Sequence, residues 1–155
     1  TADIGCGYAM FDLFLWKDHP GRLLLIDLEQ SDDRHFGFQD KGAAYSNLET
    51  ARRFLERNGV TPDDIVCVNP EKTSLADQPA VNLAVSFISC GFHYPCETYL
   101  EFFQSGVQPD GAVILDLRTG RAARGTKVLS SVGTVSTLTE SAYGNGQRVL
   151  MQKSV

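Results

Sequence analysis

Long hydrophobic runs are the first thing this sequence lacks. No apolar stretch approaches the ~20 residues that a membrane-spanning helix needs, and no basic-then-apolar leader opens the chain. A membrane partner is therefore not expected. Cysteine is scarce as well. Cys6, Cys67, Cys90 and Cys96 show no disulfide-framework spacing and read as reduced thiols of a cytoplasmic protein. Cys90, His93 and Cys96 form a compact CxxHxxC, but a zinc site needs a fourth ligand and none follows at the usual spacing, so no metal is expected. Positive charge is also short. The net charge of −5 disfavours a nucleic-acid partner. Internal repeats and low-complexity segments are missing, and no linker divides the chain.

What is present is alternation. "TADI" is a stub of strand, and "YAMFDLFLWK" carries apolar residues at helical spacing (Met10, Leu13, Phe14) before the breaker Pro20-Gly21. "RLLLIDL" is an apolar run suited to a strand buried on both faces. A long polar stretch, residues 29–45, follows and holds His35, Phe36 and Phe38, which either contact substrate or anchor the loop. Ser46 and Glu49 form a capping box for a helix that Asn58-Gly59 ends. Strands "DIVCVN" and "VNLAVSFIS", a helix entered at Pro95, the turn "QPDG", strand "GAVILDLR", a helix over 121–131 and a closing hairpin around "AYGNG" complete the pattern. This predicts an α/β Rossmann-like three-layer sandwich: a mixed seven-stranded sheet with one antiparallel strand, supplied by the C-terminal hairpin.

In such sheets ligands bind beyond the carboxyl ends of the strands. The turn "DIGCGYA" sits there, after the first strand. Unpaired amides at a helix start favour an anion, yet Asp3 stands two residues before Gly5. That asymmetry suits a zwitterionic ligand. A dinucleotide fingerprint would have a third glycine where this chain has Met10, which counts against an NAD(P)-binding oxidoreductase.

The segment "DIGCGYA" resembles the first motif of the class I S-adenosylmethionine-dependent methyltransferases, with Ala9 in place of the last glycine. Four further segments resemble the family in order: "LLLID" ending at Asp27, "VCVNPEKTSL", "VNLAVSFIS" with Asn82 where an aspartate is common, and "GVQPDGAVILDLR" with Asp110 in place of a glycine. The resemblance implies S-adenosyl-L-methionine as cofactor, with contacts from Asp3, Gly5, Cys6, Gly7, Asp27, Leu28, Asn69 and Ser86. Asp27 would accept the ribose hydroxyls and Asn69 would face the adenine. It implies one domain over residues 1–155, without the N-terminal cap helices that the family commonly carries.

The stretch "SFISCGFHYPCETYL" is similar to a bacterial group of sugar or small-molecule O-methyltransferases. The family often lines its methyl-acceptor pocket here; Phe92 or Tyr94 would pack against the acceptor or the sulfonium face, and His93 is the candidate catalytic base for a hydroxyl proton, histidine being the natural base near neutral pH. The bland alternative has His93 fix its own turn by bonding a backbone carbonyl. The basic run "RTGRAARGTK" would hold an acidic acceptor or, more plainly, form a solvated helix face. A second rival function stays open beside the oxidoreductase. A non-catalytic relative could keep the fold and serve as an interaction module. Oligomeric state is not readable from these residues.

Overall fold

The computed structural model describes residues 1–28, 47–142 and 144–154. The segment with His35, Phe36 and Phe38 lies outside them. Seven strands form one sheet in the order β3-β2-β1-β4-β5-β7-β6. They are β1 (Ala2–Ile4), β2 (Leu23–Ile26), β3 (Ile65–Val68), β4 (Val81–Ser86), β5 (Val107–Arg118), β6 (Gly133–Ala142) and β7 (Gly146–Lys153). Strands β1 to β5 pair in parallel, while β7 runs antiparallel to both β5 and β6. The reversed strand is thus internal, and β6 forms the edge.

Helices α1 (Met10–Asp18) and α2 (Leu48–Arg57) cover one face, and α3 (Leu100–Ser105) and α4 (Ala122–Leu129) the other. Alternate residues of β2 serve the two sides. Leu23 and Leu25 join the α1/α2 core, whereas Leu24 and Ile26 join the α3/α4 core. All four are buried, which is why this strand reads as an unbroken apolar run. Helix α2 buries Leu48, Ala51 and Leu55, one stripe at helical spacing.

Local details depart from the sequence reading in four places. Ser46 lies outside the described residues, and the cap of α2 is Asn47, whose Oδ1 accepts from the Thr50 N–H at 2.8 Å. The segment after Pro95 begins as a 3₁₀ turn (Cys96–Tyr99) and becomes α-helical only at Leu100. The turn "QPDG" is a bulge within β5: Val81 pairs with Val107 but Leu83 with Ala112, and Asp110 takes φ 62°. Finally, the exposed face of α1 is apolar. Met10 and Phe14 are 59% and 63% exposed, while Asp12 is buried beside Leu13. The pattern Met10, Leu13, Phe14 therefore does not mark the buried face.

Candidate functional site

The turn after β1 is built from three left-handed residues: Gly5 (φ 79°), Gly7 (φ 56°) and Ala9 (φ 60°). The three positions face different surroundings. The Gly5 N–H donates to Ile26 O at 2.8 Å, and a Cβ on Gly5 would collide with the Ser89 side chain. Nothing lies within 4 Å of the position a Gly7 Cβ would take, so the turn is open there. Ala9 is wholly buried at the helix start, and Met10 points outward. Close helix–strand packing is thus made at position 9, and the bulk of Met10 does not obstruct it.

Asp27 directly follows β2 beside this opening. Its Oδ2 accepts from the Gly7 N–H at 2.9 Å, which ties the acid to the glycine turn. Asp3 lies beneath, 4% exposed, and burial, the neighbouring Asp12 carboxyl and Asp27 push its pKa well above the usual carboxylate range. Asp12 is also pushed up by burial, to about 6. Cys6 is buried and its thiol is likewise raised, first by burial and then by the three aspartates.

Ser86 braces the two halves of the site. Its hydroxyl donates to Ile4 O at 2.6 Å and accepts from the Cys90 N–H at 2.8 Å. The residue is 0% exposed. Both hydrogen-bonding directions of the hydroxyl are thus engaged within the fold. Asn69 is engaged in a similar way. Its Oδ1 accepts from the Glu71 N–H at 2.9 Å, and its carbonyl accepts from Lys72 and Thr73, so the side chain caps its own turn. It borders a hollow shared with Leu48 and Arg52, separate from the one beside Leu28.

That neighbouring hollow is a cleft of about 410 Å³ between the 70–76 segment and α3, with Leu28, Pro70, Leu75, Tyr94, Tyr99 and Phe102 in its lining. Tyr94 is buried, its ring 6.0 Å from that of Tyr99, and its hydroxyl accepts from Ser89 Oγ at 3.1 Å. It belongs to the cleft on the Leu28 side. Phe92 and His93 form a separate pair, their rings 5.4 Å apart. The Arg118 guanidinium lies 5.8 Å from the Phe92 ring. The turn holding them is hydrogen-bonded within itself: Ser89 O accepts from both the Phe92 and His93 N–H groups, and the Gly91 N–H donates to Tyr94 O.

Of the basic run, Arg124 pairs with Glu97 at 2.6 Å. Among the described residues no group of three or more His, Cys, Asp or Glu is disposed to hold a metal ion. None of their helices is long and apolar enough to cross a membrane.

Sequence reasoning missed two features. One is Asp12, whose only signal was an acid inside an apolar helical run. The other is a bidentate pair between half-buried Arg148 and fully buried Asp116, Nε to Oδ1 at 2.7 Å and Nη2 to Oδ2 at 2.9 Å. The same guanidinium stands 4.4 Å over the Phe87 ring, which meets Phe11 edge-on.

No protein-family model and no curated protein matches the sequence. Solved structures do match. The ribosomal protein L11 methylase of Lactobacillus delbrueckii subsp. bulgaricus superposes with a TM-score of 0.66 at 20% identity, over 99% of this chain and 69% of that one. The fold is that of the class I methyltransferases. A methyltransferase of Pyrococcus furiosus gives a TM-score of 0.68 at 17% identity, over 99% of this chain and 74% of the other. Geranyl diphosphate C-methyltransferase of Streptomyces coelicolor A3(2), solved with Mg2+, geranyl diphosphate and S-adenosyl-L-homocysteine, gives 0.66 at 10% identity over 99% and 70%. The L11 methylase and the geranyl diphosphate enzyme are named for chemically unlike acceptors.

Proposed function

We propose that this protein is an S-adenosylmethionine-dependent methyltransferase. The observation that carries the reading is the glycine turn: open at Gly7, clasped by its N–H to Asp27, with buried Asp3 beneath. When bound, the cofactor supplies an activated methyl on a sulfonium. Asp27 is placed to accept ribose hydroxyls, Leu28 and the cleft beside it to cover the base, and the turn's backbone to approach the methionine end. Cys6 would contribute backbone only, because its thiol is buried. Asn69 would contribute through the turn it caps.

For the acceptor we propose a small molecule bearing a hydroxyl, with a sugar as one class. His93 is the candidate base, held beside Phe92 at the end of the post-β4 turn. Phe92 would pack against the acceptor, while Tyr94 shapes the adjoining cleft. The L11 methylase, named for a protein acceptor, and the geranyl diphosphate enzyme, named for a carbon acceptor, show that the fold alone does not choose the acceptor.

Calorimetric titration with S-adenosylhomocysteine, S-adenosylmethionine and NADH tests the cofactor. Saturable binding of the first two, weakened about 10–100-fold by Asp27→Ala, is expected from loss of a charged acceptor. Binding of NADH alone would restore the oxidoreductase reading. Binding of none would favour a methyltransferase fold used as an interaction module.

A further inference from the structure

The basic run after β5 has no part in the reading above, and the structure divides it. Arg121, Arg124 and Lys127 are exposed on α4 and the turn before it, as a solvated helix face would be. Arg118 is different. It is half-buried at the carboxyl end of β5, the end of the sheet at which Ile4, Ile26 and Ser86 close the parallel strands β1, β2 and β4.

The backbone of Arg118 is pinned to the turn after β4. Its N–H donates to Gly91 O at 3.1 Å, and a Cβ on Gly91 would collide with the Leu117 side chain. The next residue is held as well, since the Thr119 N–H donates to Asn145 O at 2.9 Å beside the β6–β7 turn. From this root the guanidinium stands over Phe92, whose ring also meets that of His93 edge-on. One ring thus touches both the candidate base and a cation.

Nothing in the described fold neutralises that cation. Asp116 lies two residues back on the same face of β5, but both its oxygens accept from Arg148. Opposite Arg118 on β7 is Gly146, which has no side chain to cover it. Among the described residues no acid pairs with Arg118, and no acceptor takes a hydrogen bond from its side chain. Contact with an aromatic face orients a guanidinium without satisfying its five N–H donors. Arg148 makes the contrast: it stands over Phe87 and is also bidentate to Asp116. A planar fork of donors beside a base matches a group with two anionic oxygens.

We infer that Arg118 binds an oxyanion of the methyl acceptor, a carboxylate or a phosphate, so that the acceptor is an anionic hydroxy compound of the sugar-acid or sugar-phosphate kind. This rests on the methyltransferase reading above, with His93 as base. The anion anchors the acceptor and takes no part in the transfer. The acceptor oxygen bonds the methyl carbon as the carbon–sulfur bond breaks to leave a neutral thioether, and the hydroxyl proton passes to His93.

Arginine Nε–Hε spectra of ¹⁵N-labelled protein test this, with the Arg118 signal assigned by its loss in Arg118→Gln. Glucose, glucuronate and glucose-6-phosphate are titrated with and without S-adenosylhomocysteine. The two anions should move the Arg118 signal saturably while glucose does not, and the tighter of the two identifies the oxyanion. By calorimetry, Arg118→Gln should lose about 10–100-fold in anion affinity. Arg118→Lys should keep part of that affinity, having the charge without the fork. Arg124→Gln should keep all of it, and S-adenosylhomocysteine affinity should be the same in all three variants. No response to either anion, or an equal response to glucose, would overturn the inference. Equal losses in Arg118→Gln and Arg124→Gln would reduce it to a diffuse effect of charge and sink it too. Binding of S-adenosylhomocysteine with no anion response defeats the acceptor class alone. An anion response in a protein that binds no S-adenosylhomocysteine leaves an oxyanion site and defeats the cofactor assignment.

Discussion

Single residues here carry energetic costs. Asp12 is the clearest case, a buried carboxyl with no hydrogen-bond partner among the described residues. Its folded-state pKa is raised, so the native state holds the proton more tightly than the unfolded chain. Stability from this group is fully present below the unfolded value near 4 and is lost as pH rises through about 6. Asp12→Leu should accordingly stabilise the protein at pH 8 by about 1–3 kcal/mol, and by little at pH 4. Urea unfolding at the two pH values checks this; an equal gain at both would mean that packing, not charge burial, sets the difference. Ala9 and Asp110 show a smaller cost of the same kind, each taking a left-handed conformation where the methyltransferase pattern has glycine.

Between elements, the site depends on how two turns are locked together. The turn after β1 and the turn after β4 meet through the Ser86 hydroxyl, which reaches Ile4 O, 82 residues away in sequence, and Cys90 N, four residues on. Close contact of Gly5 with Ser89 makes a second lock. Ser86→Ala would leave the Cys90 N–H without its partner, at a cost of about 1–3 kcal/mol. Its melting temperature should fall, and cofactor affinity with it, because Gly7 and Asp27 are held by the same turn. An affinity loss with no change in melting would instead show that Ser86 contacts the ligand directly. Gly5→Ala should be worse than Ser86→Ala, since it adds a collision and a strained φ to the same junction.

At the scale of the whole molecule, an ion pair adds to the backbone ladder that joins the reversed strand β7 to β5. Asp116 on β5 is fully buried, and Arg148 on β7 meets it with two hydrogen bonds. Arg148→Met would strand a buried carboxylate and should cost about 3–5 kcal/mol. Adding Asp116→Leu in the same chain should recover most of that loss, because an apolar pair of similar volume leaves no charge to satisfy. Chemical denaturation of the single and double variants decides the point. Failure of the second change to restore stability would show that stacking of Arg148 on Phe87 matters more than the charges do.

Much of this was legible in the chain itself, and the reason is that the signals are local. Strand–helix alternation follows from periodicity within ten residues or so. The glycine turn is set by three neighbouring residues that must take φ above zero, and Asp3 and Asp27 were identified by their place at strand ends. Those features determined the three-layer architecture and pointed to the mouth of the site. What the tertiary structure alone decided involves partners distant in sequence or the choice of a face. The apolar spacing of α1 could not tell that Asp12 turns inward and Phe14 outward, because both faces of that helix are rich in apolar residues. The commitment of Ser86 to a brace and of Asn69 to its own turn depends on which backbone groups arrive beside them. The Arg148–Asp116 pair exists only because β7 inserts between β5 and β6, and a hairpin's sequence fixes its own turn but not the strand it will lie against.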